Sequence, residues 1–342
     1  MSTASLPAAA APPVGPRFAW PQEFGTRFSI FVDTEEEFDW NAPFSREARG
    51  VTAIDALPDL HRRFAERGVP ITYLVDHPVA TTPSSIAVLR ALLEDGVSAI
   101  GAHLHPWVNP PHEELVNRTN SFAGNLPPAL EGAKLDLLGA AIETAFDRAP
   151  RIFRAGRYGM GPATLSLLAE RGYVIDSSMR SGFCYLHEGG PDFRHVGNHA
   201  FRAGTDQALL ELPLTTVWLG ALRGGGAGLY DLLGRLPRGR GVASRLGLLD
   251  RIALTPEEMP LPEALRAIDR AVDDGVELLN FSFHSPTIVP GMTPYVRDAA
   301  DVARFHAWWD AVLDRLEARG VRPAGEAELV AAATAPRLAQ AA

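Results

Sequence analysis

Two short runs carry residue types that could share one metal ion: Asp33-Thr34-Glu35 and His103-Leu104-His105. On an extended strand, residues two apart point to the same side and lie about 7 Å apart along the chain. His103 and His105 could therefore offer two imidazoles to one ion, and Asp33 and Glu35 two carboxylates to one space. One carboxylate with two histidines leaves a coordination position open for water, which is the composition of hydrolytic zinc sites. An H-x-H alone is as well the mark of a surface or core pair. The acidic pair at another strand end, with His284 at a third, makes the set a candidate centre.

These residues need elements to position them, and one pattern recurs. A helical segment ends in a charged residue and glycine, and a β-branched or apolar run follows at once: AERG-VPITYLVD, LEDG-VSAIGAHLH, AERG-YVIDSS, VDDG-VELLNFSFH and EARG-VRPAG, with Gly68, Gly96, Gly172, Gly275 and Gly320 as closers. Glycine suits the left-handed residue that ends a helix, and the run after it reads as a buried parallel strand. Repeated units of this kind imply right-handed βαβ crossovers. Helices are expected over Ile54–Arg67, over Ile86–Glu94 with Ser85 as cap, and over Pro162–Arg171, Pro262–Asp274 and Ala300–Arg319. Arg27–Val32 is the first strand, Ile152–Phe153 and Leu209–Leu214 fill two gaps, and about seven strands result. Asp33, Asp76, His103, Arg154, Asp176, Glu211 and His284 then fall at or near strand C-termini. That is the rim where an α/β barrel keeps its active site.

The chain has 342 residues, with 46% hydrophobic and 21% charged and a formal net charge of −9. This balance is that of a globular protein and argues against a dedicated nucleic-acid binder. One cysteine, Cys184, excludes a disulfide framework within the chain. The start has no basic region and no apolar run before its prolines, and no stretch is long and apolar enough to span a bilayer; a cytoplasmic location is expected. Residues 1–25 read as a disordered Ala/Pro-rich arm, 26–330 as a single barrel domain and 331–342 as a frayed tail. The stretches 106–128 and 220–260 read as long loops, or the second as a small subdomain. The glycine-rich RGGGAGLY within it lacks the spacing of a phosphate-binding loop and reads as a flexible connection.

Five segments, FVDTEEEFDW at 31–40, GAHLHPW at 101–107, FRAGRYG at 153–159, ELPLT at 211–215 and FSFHSP at 281–286, resemble in order the motifs of the polysaccharide deacetylase (NodB-homology, carbohydrate esterase) family. Their wording, with HSPTIVPGMTPY, is most similar to the WalW-type branch. The resemblance implies an α/β fold, a distorted (β/α)7 barrel, and metal-dependent hydrolysis of an N- or O-acetyl group on a saccharide or saccharide precursor. It implies Asp33 as base, Glu35, His103 and His105 as ligands of a divalent metal such as zinc, Arg154 orienting the base, and His284 as general acid. No organic cofactor is implied. The expected partner is an acetylated carbohydrate, with no nucleic acid and no membrane span. Many members space the histidines four apart and carry aspartate where Glu35 stands, so Glu36, Glu37 or His112 are alternative ligands. A non-sugar amide substrate, or a non-catalytic carbohydrate-binding or regulatory role on the same barrel, are the competing readings. From the residues alone, Arg154 could instead pair with Glu211 or Asp176, Arg157 could take its place, and Trp40, Trp107 and Trp218 could face a sugar or fill the core.

Overall fold

The computed structural model describes residues 12–335. Eleven strands are assigned: β1 (Arg27–Thr34), β2 (Thr72–Val75), β3 (Ala99–Leu104), β4 (Ile152–Ala155), β5 (Ile175–Asp176), β6 (Phe201–Ala203), β7 (Leu209–Glu211), β8 (Thr216–Leu219), β9 (Asp250–Ala253), β10 (Leu278–His284) and β11 (Arg322–Pro323). The main sheet runs β10-β1-β2-β3-β4-β5-β7-β6, with β11 added beside the start of β1. From β10 to β7 every pairing is parallel, and β6 alone is antiparallel. Seven parallel strands thus curve towards closure.

Closure between β7 and β10 comes from a few bonds rather than a ladder. Asn280 Nδ2 donates to Leu212 O at 3.0 Å and Asn280 N to Thr215 Oγ1 at 2.9 Å. Thr215 N donates to Asn280 O at 3.3 Å, and Leu254 joins Thr215 and Ser282 in the same way. The result is a distorted (β/α) barrel, as expected, with β8 and β9 forming a separate antiparallel pair between these two edges.

Strand alternation sorts the interior by height. Phe31, Leu74, Ile152, Ile175, Leu210 and Leu278, one from each of six parallel strands, form a single apolar cluster. One step of two residues further along β1, β4 and β10 come Asp33, Arg154 and Asn280, all buried. Gly101 occupies the equivalent place on β3, where a Cβ would stand 2.5 Å from Leu74 Cδ2 and 2.8 Å from Ile152 O. The same two-residue step from Gly101 leads to His103 and His105. Apolar packing therefore fills the lower barrel and hands the polar residues to its C-terminal end.

A larger core lies between sheet and helices, built from Phe28, Ile30 and Val32 on the other face of β1 and from side chains such as Leu57, Leu60 and Phe64. Phe64 meets Trp309 edge to face at 5.1 Å; truncating such a residue to alanine costs about 3–5 kcal/mol. The five glycines read as helix closers all have positive φ, from 65° to 80°.

Some elements differ from expectation. The helix expected from Ile86 starts at Pro83, whose missing N–H costs nothing there, and Ser85 bonds back to Val79 O at 2.6 Å instead of capping. A 19-residue helix, Pro128–Phe146, lies where the sequence shows no helical period, because it carries small or apolar residues on several faces. Residues 12–25 are packed rather than disordered: Phe18 N bonds Ala200 O, and Trp20 stacks on Phe24 at 4.0 Å. The helix Glu326–Thr334 carries buried Ala332 and Ala333 into the expected tail. Residues 1–11 and 336–342 of those expected termini lie outside the described residues. Residues 106–127 contain only one short 3-10 turn, whereas 220–260 hold two short helices, Gly226–Gly234 and Gly239–Arg245, and strand β9. The Pro/Asn-rich loop is fixed by Lys134, fully buried, whose Nζ donates to Pro106 O, Asn109 O and Pro111 O at 2.6–2.9 Å and meets Glu114 Oε2 at 3.1 Å.

Candidate metal and acid–base site

β3 places His103 within the strand and His105 just past its end, so both rings turn to the same side. Each is fixed through Nδ1. His103 Nδ1 donates to Arg154 O at 3.1 Å, and His105 Nδ1 donates to Glu36 Oε2 at 2.7 Å. This assigns both Nε2 atoms as bare lone pairs. They stand 3.1 Å apart, and Glu35 Oε2 lies 3.5 Å from one and 3.4 Å from the other. Glu35 Oε1 is buried with no hydrogen-bond partner.

Three electron-rich atoms facing one another in a buried space repel unless a proton or a cation lies between them. Tetrahedral zinc with ligands about 2.0–2.2 Å away sets those ligands about 3.3–3.5 Å apart, close to the separations seen. Glu35, His103 and His105 therefore form a buried group that could hold a metal ion. The short histidine spacing and the longer glutamate arm offset each other. Burial drives both imidazoles towards the neutral, ligating form, His105 down to about 4. Burial also pushes the Glu35 carboxyl well above its ordinary value, His284 opposing and Glu36, Asp33 and Asp76 reinforcing the rise; a cation at this point would relieve that strain.

The other candidate ligands stand elsewhere. Glu36 lies behind His105, accepts from Trp107 Nε1 at 2.8 Å and is raised to about 7 by burial. Its backbone N–H donates to Asp76 Oδ2 at 2.8 Å. With Asp76 and His105 it makes a second cluster of potential ligands, but the short Nδ1–H bond makes it a support for the ring. Glu37 Oε1 accepts from Ala53 N at 2.6 Å and Thr52 Oγ1 at 2.8 Å, which ties down its loop. His112 is exposed and joins neither cluster. Trp107 stacks under His105 at 4.2 Å and is buried, while Gly156 covers the ring from the other direction, with no room for a Cβ.

Asp33, one residue before the end of β1, lies directly beside His284 in the register of β10. Arg154 Nη1 donates to Asp33 Oδ1 at 2.6 Å and to Ser282 Oγ at 2.7 Å, while its Nε donates to Ser177 O at 3.0 Å. Burial alone would raise the Asp33 carboxyl, but Arg154, His103 and His284 together outweigh it and hold it below the ordinary value. Of the partners open to Arg154, Asp33 is the one it binds. Asp176 and Glu211 are adjacent in the β5–β7 register, accept from Ser178 Oγ and Met179 N respectively, and are both raised by burial. Arg157 pairs with Glu188 and Ser121.

His284 Nε2 lies 3.8 Å from Asp33 Oδ2, and its Nδ1 donates to Glu257 at 2.9 Å. Burial would lower this imidazole, yet Glu257, then Glu35 and Asp33, push it up to about 10. Glu257 also accepts from the His284 backbone N–H at 2.8 Å and from Thr287 Oγ1 at 2.6 Å. Sequence reasoning missed Glu257. It follows β9, which was not read as a strand; a strand recognised at 250–253 would have marked the acidic pair 257–258 by the same strand-end rule.

These groups open into a cavity of about 740 Å³ lined also by Phe38, Phe44, Tyr158, Tyr185 and Tyr295, a size and lining suited to a small organic ligand. Trp40 meets His284 edge to face at 5.0 Å and lines the same cavity. Trp107 supports His105, and Trp218 packs near Tyr230, away from the site.

No family model matches the sequence, and no curated protein matches it. Solved structures do resemble the fold. One is a protein assigned as a polysaccharide deacetylase from Mycobacterium smegmatis, 18% identical over 92% of this chain and 96% of that one, with a TM-score of 0.46. Another is the chitin deacetylase of the fungus Colletotrichum lindemuthianum, 12% identical over 91% and 90%, TM-score 0.43. A third is a carbohydrate esterase family 4 pseudoenzyme from Bacillus anthracis, 8% identical over 90% and 66%, TM-score 0.44. At such scores, what the site can do rests on its own residues. The structures this chain is similar to thus include two named as deacetylases and one named as a pseudoenzyme of carbohydrate esterase family 4.

Proposed function

We propose that this protein is a metal-dependent hydrolase that removes an acetyl group, N- or O-linked, from a saccharide or saccharide precursor in the cytoplasm. The carrying observation is the meeting of Glu35 Oε2 and the two Nε2 atoms at 3.1–3.5 Å beside the Asp33–Arg154 and His284–Glu257 pairs. Glu35, His103 and His105 would hold a divalent ion, and zinc suits one carboxylate with two histidines. When bound, such an ion supplies Lewis acidity towards water and a carbonyl oxygen.

The chain's own residues do the proton work. Asp33, kept ionised by Arg154, takes the proton of the attacking water. His284, kept protonated by Glu257, gives a proton to the departing amine or alkoxide. One group is held below and the other above its ordinary value, so base and acid coexist at neutral pH. Arg154 reaches Asp33 from the far side of the barrel and leaves Asp33 Oδ2 directed at the His284 side of the cavity. Aromatic faces around the cavity support a sugar as substrate, stacking on its apolar side. The motif wording supports placement near the WalW-type branch.

The test is acetate release from a panel of acetylated amino sugars and acetylated non-sugar amides, with and without added zinc. Release from sugars that depends on metal is expected. Release confined to the non-sugar amides would move the substrate class, and sugar binding with neither metal nor acetate release would end the hydrolase reading.

A further inference from the structure

We infer that the helical hairpin at residues 222–246, inserted between β8 and β9, docks onto a membrane surface bearing anionic lipid headgroups. Of ten large apolar side chains exposed among the described residues, five fall in this segment: Leu222 (48% exposed), Leu232 (55%), Leu236 (57%), Val242 (50%) and Leu246 (65%). Helix Gly226–Gly234 has no buried residue, and helix Gly239–Arg245 has only Ala243. The hairpin therefore presents its apolar side chains without a partner.

Charge identifies the occupant. The segment carries five arginines, 223, 235, 238, 240 and 245, against one aspartate, Asp231, in a chain of net charge −9. All five arginines are exposed. Asp231 is bound from outside the hairpin by Arg194 at 2.6 Å and more weakly by Arg240 at 3.4 Å. Arg223, Arg235, Arg238 and Arg245 make no ion pair among the described residues. Aliphatic side chains interleaved with guanidiniums match a lipid interface, where leucines enter the acyl boundary and arginines reach phosphate. A nucleic acid offers the phosphates but no place for the leucines. Leucine and valine, the exposed apolar side chains here, are under-represented among the residues that anchor protein partners, and the hairpin's one aromatic ring, Tyr230, is covered by Arg240 and Arg251.

The hairpin is also tied to the cavity wall. Arg240 and Arg251 both lie over Tyr230, at 4.3 and 4.6 Å, and Arg251 and Arg180 both lie over Phe183, at 3.5 and 3.8 Å. Arg180 lines the catalytic cavity. A surface that holds the hairpin thus holds one wall of the site.

The experiment is sedimentation of the full chain with phosphatidylcholine vesicles and with vesicles containing about 30% phosphatidylglycerol. Each arginine near an anionic surface contributes about fivefold to partitioning. Binding to the anionic vesicles alone is expected, lost at high salt and reduced at least about 100-fold in R235E/R238E/R245E. L232S/L236S, which alters only exposed side chains, should weaken it at unchanged melting temperature. Equal sedimentation with neutral vesicles, or none with either, overturns the inference. So does a dimer in light scattering that L232S/L236S converts to monomer, or equally tight, charge-dependent binding to a short oligonucleotide.

Discussion

On the strand-built side of the site, His103 and His105 are 2% and 3% exposed, kept neutral by that burial and fixed in one tautomer by a carbonyl and a carboxylate behind them. On the other side His284, with its side chain 18% exposed, is held as a cation by Glu257 from a connecting loop. Both sides use the same residue type, and burial acts on both in the same direction. The difference lies in the balance of charges facing the ring: at His105, His284 and Arg157 oppose the rise that Asp76 and Asp33 would bring. Glu257, Glu35 and Asp33 together reverse the effect of burial at His284, whereas the charges around His105 do not. Imidazole chemistry in this barrel is set by which carboxylates the surrounding segments deliver.

That contrast can be broken in a graded way. The largest effect is expected from His103→Ala. Metal content measured by elemental analysis should fall from about one ion per chain to none, and acetate release to background; full metal retention would mean that the strand-built side is not the metal side. Asp33→Asn should keep the metal but lower kcat/KM by about 10²–10⁴-fold, and Arg154→Ala should be destabilised by about 3–5 kcal/mol, because it strands a buried carboxylate. A smaller change is expected in Glu36→Gln: metal affinity measured by competition with a chelator should drop about 10–100-fold, while kcat at saturating metal stays near wild type. Unchanged affinity would make Glu36 a mere neighbour of His105.

The mildest change tests the acid side. With Glu257 present, His284 keeps its proton up to about pH 10, so the alkaline limb of kcat/KM should lie high. In Glu257→Gln the raising partner is gone, the proton leaves at lower pH, and the limb should move to lower pH with about a tenfold loss above neutrality. A limb that stays in place would take the general-acid role away from His284.

Much of this site was legible from residue spacing. The two-residue period of a strand is a local property: it sets Asp33 with Glu35 and His103 with His105, and the fold places the four around one cavity, with Arg154 and His284 on β4 and β10. What was not legible depended on non-local partners. From spacing alone Arg154 has three carboxylates to choose from; the motif resemblance points to Asp33, and the fold brings Arg154 Nη1 to its Oδ1. Glu257 sits in a segment without periodicity, and its strand is too short and too polar at Asp250 and Arg251 to announce itself. The packing of residues 12–25 against Ala200 and Phe201 was hidden for a related reason: prolines and alanines mask Phe18, Trp20 and Phe24, which only the β6 edge makes useful.

Lys134 deserves a last consequence. Its ammonium gathers three carbonyl oxygens and a carboxylate, much as a calcium ion organises a loop. Because this positive centre is tethered to a helix, no supply of ions is needed to keep it in place. Stripping the protein with a chelator should therefore leave the cradle behind His105 standing, ready to take metal back without refolding.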